Sequence, residues 1–369
     1  MSLRGAPRGA LSRVALFGAA AALAALALIA TPGVPGARDA APEHPVWPPP
    51  PDLARIEYVS ALTGARDFAT GLWKRMSDFA GGSAARQTLA KPTGIALSGD
   101  GRRVYVVDGV RLAVFRFDLG ARRLRVLSLT GLPHGPVQPF DLALDASENL
   151  YVTDQSSRTV VVLSSDGKFL RAIGRDSLGR PVGCAVDRTR GLLYVADAPH
   201  GGAPHRVAVF GLDGRFVRWI GGRGTRPGEF NYPTYLAVGP DGELHVVDTL
   251  NWRVQVFGVD GRFQRAFGRH GDARGDLDRP KGIALDGFGN AYVADGSWDR
   301  VLIFDRAGRP LLDFAGRGTW PGGLQEPTAV AIAADHRIYV ADTNGHRVNV
   351  YRLVNTTAAD SATGAGGGE

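Results

Sequence analysis

Six aspartates, Asp108, Asp154, Asp197, Asp248, Asp295 and Asp342, recur along the chain, and each is followed within nine residues by an arginine: Arg111, Arg158, Arg206, Arg253, Arg300 and Arg347. A carboxylate beside a guanidinium can serve proton transfer, or it can hold a turn through charge-assisted hydrogen bonds. Repetition decides between the two. A catalytic constellation distinguishes one site from its copies, whereas a residue needed in every copy serves the copy itself. The pairs Asp154/Arg158, Asp248/Arg253, Asp295/Arg300 and Asp342/Arg347 are therefore read as structural.

Zinc chemistry needs converging imidazoles. His134, His200, His205, His270 and His346 all fall in loops of one predicted face, but at no repeated inner position, so they read as surface histidines. Calcium needs six or more oxygen ligands. The residues after the six anchor prolines described below are Thr93, Phe140, Val182, Thr234, Lys281 and Thr328, with Asp141 and Tyr235 one step further in. One carboxylate beside a lysine makes a poor calcium cage. No cofactor is expected, and zinc or calcium stands as the alternative. Cys184 aligns with Ile95, Leu142, Leu236, Ile283 and Val330, which makes it a small buried hydrophobe rather than a nucleophile. A lone cysteine also excludes an intramolecular disulfide.

These residues are positioned by a repeat. Pro92, Pro139, Pro181, Pro233, Pro280 and Pro327 each open an apolar strand, which is followed by a turn, a strand ending in Tyr-Val-x-Asp or a variant, and a third strand opened by the arginine. The arginines recur about every 47 residues, and four short strands per period is what radial repetition of sheets requires. The fifth copy shows the four strands in Gly282–Asp286, Asn290–Asp295, Arg300–Phe304 and Pro310–Phe314, and Asp166-Gly167, Asp213-Gly214 and Asp260-Gly261 supply tight hairpins elsewhere. The expected fold is all-β, a six-bladed propeller. The sixth copy stops after its third strand, so Arg55–Val59, which resembles the outer strand Phe216–Ile220, is expected to complete that blade and close the ring.

The ends differ in kind. Arg4, Arg8 and Arg13 precede the apolar run from Val14 to Ala30, giving residues 1–37 the order of an export signal or signal anchor. Residues 38–54 are proline-rich and read as a stiff spacer, 55–355 as the propeller, and 356–369 as a disordered tail. Within the insertion at 63–91, Leu72, Trp73, Met76 and Phe79 share a helical face. Of the formal charge of +7, three charges belong to the leader, which leaves +4 with acids and bases interspersed. That balance describes a solvated surface, and no nucleic-acid partner is expected.

Asp248-Thr-Leu-Asn-Trp-Arg253-Val-Gln-Val-Phe257 and Asp342-Thr-Asn-Gly-His-Arg347-Val-Asn-Val-Tyr351 resemble NHL repeats. The chain also resembles bacterial envelope propellers in which a proline-rich spacer, here Trp47-Pro-Pro-Pro-Pro-Asp52, precedes the ring. The resemblance implies a scaffold for protein binding, RNA binding, extracellular sensing or, in a minority, catalysis; amidating-lyase relatives place histidine-bound zinc in the channel, and lactonase-like ones an acid- and amide-bound metal at its mouth. Fold alone selects none of these. On the face bearing the loops before each anchor proline, Tyr235, Trp252, Trp298 and Trp320 fall beside Arg226, Arg269 and Asn251, a mixture suited to protein contacts or sugar stacking. The channel mouth is expected at Thr93, Asp141, Thr234, Lys281 and Thr328. The expected function is noncatalytic binding of a protein or glycan in the cell envelope, with residues 14–30 tethering the chain to the membrane if uncleaved. The alternative is a metal-dependent lyase or hydrolase at the channel mouth.

Overall fold

A computed structural model of the chain describes residues 44–68, 87–133 and 137–356. The leader, the helical stripe Leu72 to Phe79, His134 and the tail from 357 lie outside the described residues. Apart from short 3-10 turns, the described chain is built of strands arranged in six antiparallel sheets. Blade 4 is representative: Pro233–Val238, Leu244–Asp248, Arg253–Phe257 and Phe263–Phe267 run from the axis to the rim, with Asp248 paired directly with Arg253. Each innermost strand packs on the innermost strand of the next blade, and Pro327–Ile332 of blade 6 packs on Pro92–Leu97 of blade 1. The ring is therefore closed.

The second and third strands are buried on both faces because each blade is sandwiched between two others. Tyr105, Tyr151, Tyr194, Tyr292 and Tyr339 occupy one register position, each opposite an alanine of the innermost strand, and all five are buried. Blade 4 places His245 there instead, opposite Ala237. The apolar clusters straddle neighbouring blades, as where Val107 and Leu127 of blade 1 meet Leu142 and Val161 of blade 2. At about 1.5–3 kcal/mol for each fully buried large side chain, these interblade layers hold the ring together. Gly167, Gly214 and Gly261 take positive φ in the hairpins between third and fourth strands, which a side chain would strain.

Blade 6 is completed from the other end of the chain. Ile56–Leu62 pairs antiparallel with Arg347–Leu353, so that Ile56 faces Leu353 and Leu62 faces Val348, and Arg352 pairs with Glu57 across the ladder. A further strand, Val46–Trp47, pairs with Glu57 and Ile56. This differs from a free spacer over 38–54. The reason is Trp47, whose ring lies 5.8 Å from Tyr351, 6.1 Å from Phe314 of blade 5 and 6.1 Å from Trp320, filling an aromatic notch between the last two blades. Trp47→Ala is expected to cost about 2 kcal/mol, below the range for a fully buried tryptophan because this ring is half-buried, and a denaturant melt checks it.

Candidate functional site: the channel and its mouth

On the innermost strands the second residue after each anchor proline runs Gly94, Asp141, Gly183, Tyr235, Gly282, Ala329 around the ring. Glycine alternates with a side chain. A Cβ on Gly183 would lie 2.2 Å from the Thr234 carbonyl oxygen and one on Gly282 2.4 Å from that of Thr328, so these glycines let neighbouring innermost strands approach backbone to backbone, while one on Gly94 would lie 2.6 Å from Asp141 Oδ1. Tyr235 crosses the ring. Its hydroxyl donates to the Thr93 carbonyl at 2.6 Å, from blade 4 to the diametrically opposite blade 1, and its ring sits 5.7 Å from Phe140. Tyr235 is thus a plug inside the ring rather than part of the binding face expected from sequence, because its long side chain points to the axis and is buried there.

Beside the plug lies Asp141, 5% exposed. Its carboxylate accepts the Cys184 N–H at 3.1 Å, and burial pushes the acid up to about 7 against that hydrogen bond and one from the Leu142 amide. Cys184 is buried; its thiol donates to the Tyr151 carbonyl, and burial, with the charge of Asp141, pushes it up. A high thiol pKa leaves little thiolate, so Cys184 packs rather than reacts.

The mouth threonines serve the ring. Thr93 Oγ1 donates to the Phe140 carbonyl at 2.6 Å, Thr234 Oγ1 meets Thr249 Oγ1 at 2.7 Å, and Thr249 in turn donates to the Pro280 carbonyl at 2.9 Å. Thr328 Oγ1 meets Thr343 Oγ1 at 2.8 Å, and Thr343 donates to the Pro92 carbonyl at 2.7 Å. These hydroxyls, expected at the channel mouth, are buried and tie blade to blade. Lys281 is partly buried. Its Nζ lies 2.8 Å from Glu326 Oε1, with Arg279 Nη2 at 3.5 Å from the same oxygen and Asn344 Nδ2 donating to Glu326 Oε2 at 2.8 Å. Burial lowers the Lys281 pKa, and Arg279 and Lys91 lower it further, against the support of Glu326. Burial would raise Glu326, but Lys281 and Arg279 outweigh it and hold that acid below its ordinary value.

The six repeated aspartates are buried and accept backbone amides from the segment just before their own anchor proline: Ala90 and Lys91 to Asp108, Gln138 to Asp154, Asn231 to Asp248, Gln325 to Asp342. Arg253 and Arg347 approach Asp248 and Asp342 at 3.0 Å and also donate to carbonyls of the rim loops, Glu229 and Gly323. In blade 3 the gap from Arg206 to Asp197 is 4.0 Å, and in blade 5 Arg300 turns to Asp313 at 3.3 Å. The register corrects two pairs. Opposite Asp154 stands Thr159, not Arg158, and opposite Asp108 stands Ala113, not Arg111. The aspartate-to-strand spacing is constant in every blade but the third, so the shorter spacing to the arginine leaves Arg158 in the turn, exposed, at φ 57°.

On the rim, Trp252 is 37% exposed with His270 at 4.7 Å between ring centroids, and Trp298 is 43% exposed with the Arg300 guanidinium 5.7 Å from its ring. Arg226 is exposed, and Arg269 reaches Asp276 at 2.8 Å from a largely exposed side chain. Two expected face residues are otherwise engaged. Trp320 packs on Trp47 and donates to the Arg317 carbonyl, and Asn251 ties Asp248 to the Gly224 carbonyl. The histidines stay in separate loops: His205 accepts the Tyr232 amide at 3.0 Å, His270 meets Asp278 at 3.2 Å, His346 meets the Ala90 carbonyl, and His200 is exposed. Among the described residues no three His, Cys, Asp or Glu side chains are grouped to hold a metal ion.

Sequence reasoning passed over His245. It is 5% exposed beside a pocket of about 20 Å³, room for one water molecule, lined also by Glu243, Arg265 and Leu285. Its Nδ1 is buried without a hydrogen-bond partner, and burial, then Arg265, lowers the ring to about 4 despite Glu243. The signal was the single departure from tyrosine among the aligned second strands.

Fold and channel together define a six-bladed β-propeller of four-stranded antiparallel blades. Residues 324–351 match the NHL repeat family, so the propeller is one that carries an NHL repeat. Among solved structures, the gluconolactonase XC5397 from Xanthomonas campestris is similar at 20% identity and a TM-score of 0.56, over 72% of this chain and 86% of that one. A streptogramin B lyase shares 15% identity at a TM-score of 0.53, over 72% and 94%. A chain of a nidogen/laminin complex shares 22% at a TM-score of 0.51, over 61% and 80%. Likeness at this level carries the fold alone. No curated protein matches the sequence. Among the described residues no helix is long and apolar enough to cross a membrane, and Val14 to Ala30 fall outside them.

Proposed function

We propose that the protein is a noncatalytic binding propeller of the cell envelope that takes a protein or glycan on its loop-rich face. The observation that carries this reading is the plug. Tyr235 is buried and spans the ring to the Thr93 carbonyl, while Trp252 and Trp298 are exposed on the rim loops. The leader of three arginines before an apolar run supports a site outside the cytoplasmic membrane. Exposed tryptophans flanked by arginines are the side chains that dominate binding energy in protein interfaces and stack on sugars.

The test is capture of envelope components on the immobilised full chain, compared with Trp298→Ala. This ring is exposed, so the variant is expected to keep the wild-type melting temperature within about 2 °C while losing tenfold or more in affinity for the captured partner. Equal capture by both proteins would remove Trp298 from the binding face.

One observation favours the second reading, a lyase or hydrolase. Asp141, buried on an innermost strand and raised to about 7, has the pKa of a usable general acid or base. It sits beside the plug, so substrate access requires Tyr235 to leave Thr93. Elemental mass spectrometry on protein purified without added metal separates the readings: a stoichiometric metal lost in Asp141→Asn favours the enzyme, and metal-free folded protein favours the scaffold.

A further inference from the structure

Most seams between blades are latched at the outer rim, at the end away from the loops that carry Trp252 and Trp298. An arginine of one blade donates to a carbonyl in the hairpin joining the third and fourth strands of the next: Arg116 to Ser165 at 2.8 Å, Arg171 to Leu212, Arg218 to Val259 at 2.8 Å and Arg265 to Arg306 at 3.1 Å. The outer-strand arginines hold one register position, opposite Val162, Val209 and Val256. Opposite Ile303 in blade 5 that position is Leu312, and opposite Val350 in blade 6 it is Ser60. Neither can latch. Leucine has no donor, and Ser60 is exposed and far shorter than an arginine. Blade 6 also takes its fourth strand from the other end of the chain, so it has no such hairpin to offer blade 5 a carbonyl.

Blade 6 is held by other means. At the innermost strands, Lys281 of blade 5 reaches Glu326 at 2.8 Å, and Thr343 Oγ1 donates to the Pro92 carbonyl of blade 1 at 2.7 Å. At the rim, residues 45–47 bridge the seam with blade 5. They lie along Ile56–Leu62, where the Arg55 N–H donates to the Trp47 carbonyl at 2.7 Å and the Tyr58 N–H to the Pro45 carbonyl at 2.9 Å. Trp47 then reaches across, its ring 5.8 Å from Tyr351 of blade 6 and 6.1 Å from Phe314 of blade 5. The indole fits because residue 322 is glycine: a Cβ there would lie 2.9 Å from the Trp47 ring. A strap of two paired residues and one half-buried ring opens far more readily than a blade strand.

We infer that residues 45–47 are a releasable strap on a hinged blade: when Trp47 leaves its notch, blade 6 swings out at the outer rim and pivots on its contacts at the innermost strands. Neither rim seam of this blade carries the arginine latch, whereas at the latched seams the same motion must also break a charge-assisted hydrogen bond. A partner that takes residues 45–47 for itself thereby opens the blade.

The experiment is hydrogen exchange of the full chain, read by mass spectrometry on peptides from every blade, for the wild type, Trp47→Ala, Trp47→Phe and Arg218→Leu. Trp47→Ala is expected to speed exchange at least about tenfold across Arg337–Asp342, Arg347–Leu353 and Ile56–Leu62, while blades 2 to 4 stay within about twofold of the wild type. Trp47→Phe keeps a ring in the notch and should fall between. Arg218→Leu gives blade 3 the residue that blade 5 carries, and should speed exchange about tenfold in Phe216–Ile220 and Phe263–Phe267, at the seam between blades 3 and 4. Acceleration confined to Ile56–Leu62 in Trp47→Ala would show a fraying end and no hinged blade. Acceleration spread evenly over the ring would show global unfolding, and none at all would show that Trp47 straps nothing; each of these overturns the inference. An Arg218→Leu protein that exchanges as the wild type does would overturn its premise that the arginines hold the rim.

Discussion

Deleting Ile56–Leu62 from the full chain is expected to lower the melting temperature by more than about 10 °C and to make the protein self-associate. The deletion removes the strand that hydrogen-bonds along Arg347–Leu353, together with Ile56 and Leu62, both buried, and Tyr58, whose ring lies 5.8 Å from Tyr351. It also strips Val46–Trp47 of its pairing partner, so the aromatic notch empties with it. At about 1.5–3 kcal/mol for each large apolar side chain returned to water, the loss reaches about 6 kcal/mol or more. What remains is an open edge on Arg347–Leu353, alternating and apolar, of the kind that pairs with another chain. Ile56→Ala is the milder version and should cost about 2–4 kcal/mol with the edge still covered. Thermal melts and light scattering check both. A deletion that melts within about 2 °C of the wild type would show that the ring does not depend on this strand.

Why the closing strand could be read in advance, and Trp47 could not, is a matter of pattern. The blades announce themselves because proline cannot sit inside a central strand, the buried second strands repeat an aromatic before their aspartate, and the sixth copy visibly lacks its fourth strand. A strand resembling Phe216–Ile220 at the other end of the chain is then the natural completion. Trp47 sits in a proline run whose local chemistry favours an extended spacer, and only the notch formed by Phe314, Tyr351 and Trp320, remote in sequence, draws it in. The arginine register failed in blades 1 and 2 for a related reason. A basic residue in the turn resembles one at the start of the strand, and the fixed spacing from aspartate to strand becomes visible only once Ala113 and Thr159 are seen to pair.

The site was half legible. Exposed tryptophans beside arginines mark a face from composition and loop position alone. The plug rests on a contact between Tyr235 and Thr93, far apart in sequence, which no local pattern encodes. What the aligned innermost strands carry is the alternation of Gly94, Gly183 and Gly282 with Asp141, Tyr235 and Ala329, and it marks close approach between blades, since a Cβ on Gly183 or Gly282 would strike the backbone of the next innermost strand.

Two buried groups of opposite sense set the second large expectation, that stability changes little between about pH 4 and 6.5 in the wild type at these two sites and strongly once either is removed. Asp141 is raised from 3.8 to about 7 by burial. Between those values the folded state holds the proton and the unfolded state has lost it, so stability falls as pH rises, by about 1.4 kcal/mol per pH unit and about 4 kcal/mol in all. His245 is lowered from 6.5 to about 4, again by burial first. There the unfolded state binds the proton that the folded state refuses, so stability rises with pH across that window, by about 3 kcal/mol. The two slopes oppose each other over the shared range. Asp141→Asn, which keeps an acceptor for the Cys184 amide, is expected to unmask the rise, making the variant gain relative to wild type as pH climbs from 4.5 to 7. His245→Gln should unmask the fall. The groups share no partners, so the double variant should return a nearly flat difference. Urea denaturation of the four proteins at pH 4.5, 5.5, 6.5 and 7.5 measures this directly, and an Asp141→Asn profile parallel to wild type would mean that the channel acid does not titrate near neutrality, removing with it the one observation that favours catalysis.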